Sequence, residues 1–266
     1  MRTTKRFGWI RDLPDKRDLK FKPPGVSLAG FRLKRGFNQV YPSLIDLTSK
    51  LGPVYDQGQL GSCVANAIAG AIVFEELRTA SWEMLPMLPS RLFIYFNGRS
   101  IEGSISSDSG LQPRDGFKAI GLHGVCQESQ WDYNQPFQAR PYPKCYQRAR
   151  KDLALQYLSV AQDLNTMKAC LAAGFPIVVG FTAYDSFESD QVAATGVVPM
   201  PDFNAESVVG GHCVLAAGYD DASATFRCRN SWGSDWGQAG NFTIPYAYFT
   251  DPDLAGDFWT LRKMES

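Results

Sequence analysis

Histidine is scarce in this chain, with His123 and His212 the only two in 266 residues. Neither these nor the six cysteines fall at a Cys-x-x-Cys or His-x-x-x-His spacing. The pattern of a zinc site is therefore missing, and no metal or other cofactor is expected. Net charge is missing too: 27 Lys/Arg balance 27 Asp/Glu, which gives no whole-chain reason to expect a nucleic-acid partner. No run approaches the ~20 apolar residues that a membrane helix requires. The longest, Cys170 to Phe181, is broken by Gly174 and Pro176 and reads as a helix end leading into a core strand. No hydrophobic segment follows the basic start Met1-Arg2-Thr3-Thr4-Lys5-Arg6, so neither a signal peptide nor a membrane partner is expected. The compartment stays open: cytoplasmic, or exported by a route without a signal.

Apolar residues make up 44% and charged residues 20%, enough for one large domain or two small ones with a core, expected as a monomer. The overall balance conceals an asymmetry. Residues 1–40 hold eleven Lys/Arg against three Asp, leaving 16 basic and 24 acidic residues for the rest. A basic arm beside an acidic body fits a nucleic-acid tail or a segment that lies on its own domain, and the second is the commoner case. Trp9, Ile10, Leu13, Leu19 and Phe21 offer the arm apolar anchors, and Pro24-Gly25 and Gly36 mark turns.

Three segments are set out by the changes in pattern: a basic extension over 1–44, a helical part over 45–155, and a strand-rich part over 156–266. Cys63 to Leu77 is apolar nearly throughout until Glu75, as in a helix buried on most sides. Ser90 to Tyr95, Arg114 to Leu122 and Asn165 to Ala173 read as further helices, the last stopped by Gly174. Pro176 to Phe181, Cys213 to Tyr219, Thr225 to Arg229, Phe242 to Ile244 and Phe258 to Leu261 read as strands. A helical half followed by a strand-rich half implies an α+β fold of two lobes with a cleft between them.

Four residues carry chemistry: Gln57 and Cys63 in Gln57-Gly58-Gln59-Leu60-Gly61-Ser62-Cys63, His212 behind two glycines, and Asn230 opening Asn230-Ser231-Trp232-Gly233. A cysteine at the first turn of a helix gains from unpaired N–H groups and the macrodipole. Near a histidinium its pKa falls from ~8.5 to about 3–4. The imidazole moves the proton, and an asparagine amide holds the ring. Gln57 offers an amide donor to an oxyanion beside the Cys63 backbone N–H. His123 lies in a turn after a helix, which leaves His212 as the base. Trp232, two residues beyond Asn230, is suited to cover the Asn–His bond. With Cys63 as nucleophile five cysteines remain, so at least one stays unpaired. Cys170, Cys213 and Cys228 lie in apolar runs, and a reduced protein is expected.

These motifs, in this order, resemble the papain-like cysteine peptidases of the cathepsin type, over about Ile45 to the end. The resemblance implies a helical left lobe, a β-barrel-like right lobe and peptide-bond hydrolysis through a thioester acyl-enzyme. It implies Cys63 as nucleophile, His212 as general base, Asn230 as its orienter and Gln57 as oxyanion donor, acting on a polypeptide substrate. Asp108-Ser109-Gly110 resembles the loop whose glycine binds substrate backbone, and Gly211 and Trp232 complete the substrate-binding set. Gly8-Trp9-Ile10-Arg11-Asp12-Leu13-Pro14-Asp15 resembles the short N-terminal extension of bacterial members. The chain departs from the family in having Leu60 and Val64 where Cys-Gly-Ser-Cys-Trp is usual, and Gly211 where many members carry Asp or Asn. The first departure removes a usual disulfide. Two other functions use the same residues: Cys-His acyl transfer of a transglutaminase- or deamidase-like kind, and a non-catalytic, protease-shaped binding module. The arm is expected across the two lobes, at or near the cleft, as a restraint or as a permanent strap.

Overall fold

The computed structural model describes residues 6–23, 27–28, 31–32, 41–79, 87–149 and 155–263. The basic start over 1–5 and the turns expected at Pro24-Gly25 and Gly36 lie outside the described residues.

The helices come first along the body. Helix α1 (Cys63–Thr79) is buried from Cys63 to Glu75 but for Gly70, as its apolar run requires. α2 (Arg91–Glu102) opens on Ser90, whose Oγ accepts the Phe93 N–H at 3.1 Å, and closes on Gly103 in the left-handed region. α3 (Pro113–His123) has proline at its first position, where no N–H is needed, and is followed by Gly124. α4 (Pro143–Ala149) is a short turn of helix that packs Cys145 and Ala149 inward.

The strands then build an antiparallel sheet. After the β1–β2 pair (Ser27–Leu28, Phe31–Arg32) come β3 (Leu44–Asp46), β4 (Leu155–Ser159), β5 (Ile177–Tyr184), β6 (Val208–Asp220), β7 (Thr225–Arg229), β8 (Asn241–Pro245) and β9 (Ala255–Lys263). Their order is β4-β9-β5-β6-β7-β8, with β3 added along β6 at Gly218–Asp220. The sheet is open, since β4 and β8 at its ends do not pair with each other. Three further helices, α5 (Leu164–Ala172), α6 (Asp190–Thr195) and α7 (Tyr246–Thr250), lie between the strands.

Alternation along the strands places a core on each face of this sheet. Val178, Cys213, Leu215, Trp259 and Leu261 join the cluster built on α1, α2 and α3. Ile177, Val179, Val214, Ala216 and Phe258 join a second cluster with Cys170, Leu171, Phe226, Phe242 and Phe249. His212 and Cys213 are thus successive residues of one strand, pointing to opposite faces. Among the described residues all six cysteines are buried and none is cross-linked.

The N-terminal arm makes two kinds of contact. Residues 19–21 run along β4, with the Phe21 N–H donating to the Ser159 carbonyl and the Ser159 N–H to that of Leu19, both at 2.8 Å. Phe21 is buried in the second core. Leu13 and Leu19, expected as anchors, are instead 76% and 58% exposed; within the paired stretch Phe21 is the residue turned inward.

Candidate active site

Cys63 is the first residue of α1, so its thiol sits among the unpaired N–H groups of a helix terminus. The backbone amides of Cys213 and Gly8 also act on it. His212 lies within β6, and Asn230 follows the end of the neighbouring strand β7. His212 Nε2 and Asn230 Oδ1 are 2.8 Å apart. The Ser231 N–H donates to the same Oδ1 at 2.8 Å, which fixes it as the amide oxygen. An oxygen only accepts here, so Nε2 carries the proton and the neutral ring has its lone pair on Nδ1. Nδ1 has no hydrogen-bond partner among the described residues.

Rings enclose this pair. Trp232 lies with its ring centre 5.0 Å from that of His212, and Phe187, Phe181 and Phe7 follow at 5.6, 5.7 and 5.7 Å. Such walls keep water from competing for the His–Asn bond.

Gln57 is held from both ends. Its N–H donates to the Ser231 carbonyl at 2.8 Å, and Ser231 Oγ donates to Gln57 Oε1 at 2.7 Å. Its Nε2 therefore points the other way and donates to the carbonyls of Leu60 and Arg6, each at 2.9 Å.

Arg6 belongs to the arm, whose next residues run between the helical side and the sheet. The N–H groups of Gly8 and Trp9 donate to the Gly211 carbonyl at 3.0 and 2.8 Å. On the other side the Leu111 N–H donates to the Gly8 carbonyl at 2.8 Å, and the Ile10 N–H to the Leu111 carbonyl at 3.3 Å. The fit at Gly8 is tight: a Cβ there would stand 1.9 Å from the Gly61 carbonyl oxygen. A Cβ on Gly110 would likewise stand 2.4 Å from the Gly8 carbonyl oxygen. Arg6 also pairs with Asp108, at 2.6 Å, and Asp108 accepts the Gly61 N–H and the Tyr95 hydroxyl. Of the charges, then, Arg6 meets a body carboxylate, whereas Asp18 of the arm meets body Arg114, so the pairing is not simply basic arm on acidic body.

Cys63 and His212 are both fully buried in this arrangement. Burial pushes the Cys63 thiol up to about 12, against the pull of the surrounding amides. Burial likewise brings His212 down to about 4, although its bond to Asn230 favours the charged ring. Both groups are neutral here. The lowered thiol pKa expected from the helix terminus is thus not found in this closed arrangement, because desolvation outweighs the dipole.

The structure brings Gln57, Cys63, His212, Asn230, Trp232, Gly110 and Gly211 around one segment. Leu111 joins them without having been expected, and Asp108 and Ser231, quoted only as motif neighbours, take part through their side chains. Ser231 was legible as a neighbour of Asn230, but its grip on Gln57 spans 174 residues of sequence. His123 is far from this chemistry in its role, closing α3 with its ring against Tyr146. No cluster of three or more metal-ligating side chains occurs among the described residues, and none of their helices is long and apolar enough to cross a membrane.

An α+β fold with an open sheet, a cysteine on a helix terminus, and a histidine on β6 bonded to an asparagine just beyond β7 has the make-up of a thiol peptidase. Residues 41–249 match the papain family cysteine protease model, and the chain belongs to that family. It is a hydrolase of peptide bonds. Its structure is similar to Xylellain, a cysteine protease from Xylella fastidiosa, with a TM-score of 0.87 and 38% identity over 100% of this chain and 99% of that one. An uncharacterised peptidase C1-like protein of Acanthamoeba polyphaga mimivirus is 38% identical over 98% of this chain and 88% of its own. Cathepsin K of Gallus gallus is 28% identical over 75% of this chain and 57% of its own.

Proposed function

We propose that this peptidase cleaves polypeptides with Cys63 as nucleophile and His212 as base, and that residues 6–12 of its own chain hold the cleft closed. The observation that carries the first part is the bond between His212 Nε2 and Asn230 Oδ1, which leaves Nδ1 with its lone pair free to take the thiol proton. The thiolate then attacks the substrate carbonyl, and the oxyanion that forms is stabilised by Gln57 Nε2 and the Cys63 N–H. Protonated His212 returns its proton to the leaving amine, giving a thioester that water hydrolyses.

The second part is supported by the partners of the arm. The Arg6 carbonyl accepts a hydrogen bond from Gln57 Nε2, as the carbonyl of a substrate would. Gly8 and Trp9 pair with the backbone of Gly211 and Leu111 in an extended run, which supports these groups as ones a substrate peptide would use. A peptide and the arm then compete for one set of groups. Displacement of the arm readmits water, removes the desolvation penalty and lets the thiolate–imidazolium pair form. The test is to treat the chain with a thiol-reactive peptidyl epoxide and assay a fluorogenic peptide. Modification at Cys63 with parallel loss of hydrolysis is expected. Hydrolysis that persists after complete modification of Cys63 overturns the assignment.

A further inference from the structure

The turn that joins Gln57 to Cys63 is gripped by Tyr133, from the segment between α3 and α4. Its hydroxyl donates to the Gln57 carbonyl at 3.1 Å and is hydrogen-bonded to Ser62 Oγ, so it meets both ends of the turn. The protons of this network run one way. Arg91 only donates, so Asn66 turns its Oδ1 to Arg91 Nη1, at 3.2 Å, and its Nδ2 to Ser62. That Nδ2 donates to the Ser62 carbonyl and hydroxyl at 3.0 and 3.1 Å. At the other end the Gln57 carbonyl only accepts, so the Tyr133 hydroxyl gives its single proton there and accepts from Ser62 Oγ. Arg91 is itself fixed by Glu128 at 2.7 Å and by the Asp56 carbonyl at 3.2 Å, and its guanidinium lies 3.8 Å from the centre of the Tyr133 ring. Burial raises the pKa of the Tyr133 hydroxyl, which therefore keeps the proton it donates.

We propose that Tyr133, held by Arg91, is a positioning residue that sets the spacing of the two oxyanion donors. This rests on the reading that Gln57 Nε2 and the Cys63 N–H stabilise the oxyanion. Each end of the clamp adjoins one of those donors. Gln57 carries the first on its own side chain, whose Oε1 is already tied to Ser231. The Cys63 N–H shares a peptide plane with the Ser62 carbonyl. That carbonyl is fixed in turn by the Asn66 N–H and Nδ2, both at 3.0 Å. Two donors act together only when both reach one oxygen at about 2.7–3.1 Å. The turn between them contains Gly58 and Gly61, so its backbone does not fix that spacing by itself. Tyr133 touches neither substrate nor sulfur in this role; it acts through Gln57 and Ser62.

The test uses the chain carrying Gly8→Ala, which loosens the arm, so that a change at Gln57 is not read as a change in the arm's hold. In that background Tyr133→Phe removes one hydroxyl and leaves the ring beside Arg91. It is expected to lower kcat by about tenfold, the scale of one hydrogen bond, with KM unchanged. A peptide aldehyde, whose adduct with Cys63 is tetrahedral like the transition state, is expected to bind about tenfold more weakly. Iodoacetamide forms the S–C bond and expels iodide with no oxyanion, so its rate at Cys63 is expected to stay the same. A kcat unmoved by Tyr133→Phe, or alkylation that falls in step with kcat, overturns the positioning role alone. No cleavage of any peptide by the Gly8→Ala chain overturns the underlying reading as well. Should Tyr133→Phe not fold, Ser62→Ala cuts the same clamp at its other end. It is expected to lower kcat about threefold with alkylation again unmoved, and an unchanged kcat overturns the proposal.

Discussion

The two sides of the cleft are built differently. The helical side presents backbone: the first turn of α1 at Cys63, the loop held by Asp108, and the N–H and C=O of Leu111. The sheet side presents side chains locked in place by packing, with His212 bonded to Asn230 and walled by aromatic rings. Gln57 and Ser231 tie one to the other through two hydrogen bonds, and the Gly233 N–H adds a third to the Tyr55 carbonyl at 3.0 Å. Residues 6–12 bond to both. Under the proposed function reactivity is divided: the helical side holds the proposed nucleophile, Cys63, on a helix terminus, while the sheet side holds the proposed base, His212, whose usefulness depends on its orientation by Asn230.

The largest effect tests the helical side. Cys63→Ala is expected to lower peptide hydrolysis by about 10⁴-fold or more in a protein that still folds, since nothing replaces the sulfur. Activity above a few per cent would break the division. On the sheet side His212→Ala is expected to cost about 10²–10⁴-fold, the worth of proton transfer. Asn230→Ala is expected to cost less, because the aromatic walls still confine the ring; equal losses in kcat for the two variants would mean that Asn230 does more than orient. Gln57→Ala is expected to lower kcat by about 10²-fold with little change in KM, as befits a donor that acts in the transition state. A change confined to KM would remove Gln57 from that role.

Smaller effects concern the segment that joins the sides. Gly8→Ala cannot keep the present path, with its Cβ 1.9 Å from the Gly61 carbonyl. It is expected to raise kcat/KM for small peptides by about tenfold, and an unchanged value would limit residues 6–12 to a structural strap. By contrast Phe21→Ala is expected to cost about 3 kcal/mol in urea unfolding, the usual loss for a buried ring, because it removes a core residue. The arm therefore divides at about residue 13, and deleting residues 1–40 would mix a loss of restraint with a loss of stability.

The smallest effect is one of pH. With the arm in place burial, and then the charge of Asp257, push Asp12 up to about 7, against Arg114 and Trp259, which favour its ionised form. Arg11 bears on Asp257 from the arm. Released into water, Asp12 returns to about 3.9. The held arm binds a proton that the released arm loses, so this contribution is full below about 4 and is lost as pH rises through about 7. The rate of Cys63 modification, divided at each pH by that of Asp12→Asn, is expected to rise between pH 5 and 8. A flat ratio would show that Asp12 does not titrate with the arm.

Much of this was legible in the chain. Gln57 and Cys63 lie in one short motif, and His212 was chosen by the scarcity of histidine. The helices at Cys63, Arg114 and Asn165 and the strand Thr225–Arg229 were marked by apolar periodicity and glycine stops. α4, α6 and α7 escaped because five to seven residues are too few for a helical period to show. β6 begins at Val208 rather than Cys213, since Gly210 and Gly211 lack side chains to display alternation yet pair with β5. Asp257 was invisible for another reason: its partner Trp9 lies 248 residues away, and only the folded sheet brings them together.

Under the proposed function the site of Gln57, Cys63, His212 and Asn230 lies closed beneath the protein's own arm. The rate at which iodoacetamide alkylates Cys63, mapped by peptide mass spectrometry, in the unaltered chain and in Gly8→Ala bears on this closure. With Cys63 fully buried, slow alkylation of the unaltered protein is expected, and a rate about tenfold higher in the variant. Equal rates in two folded proteins would contradict it.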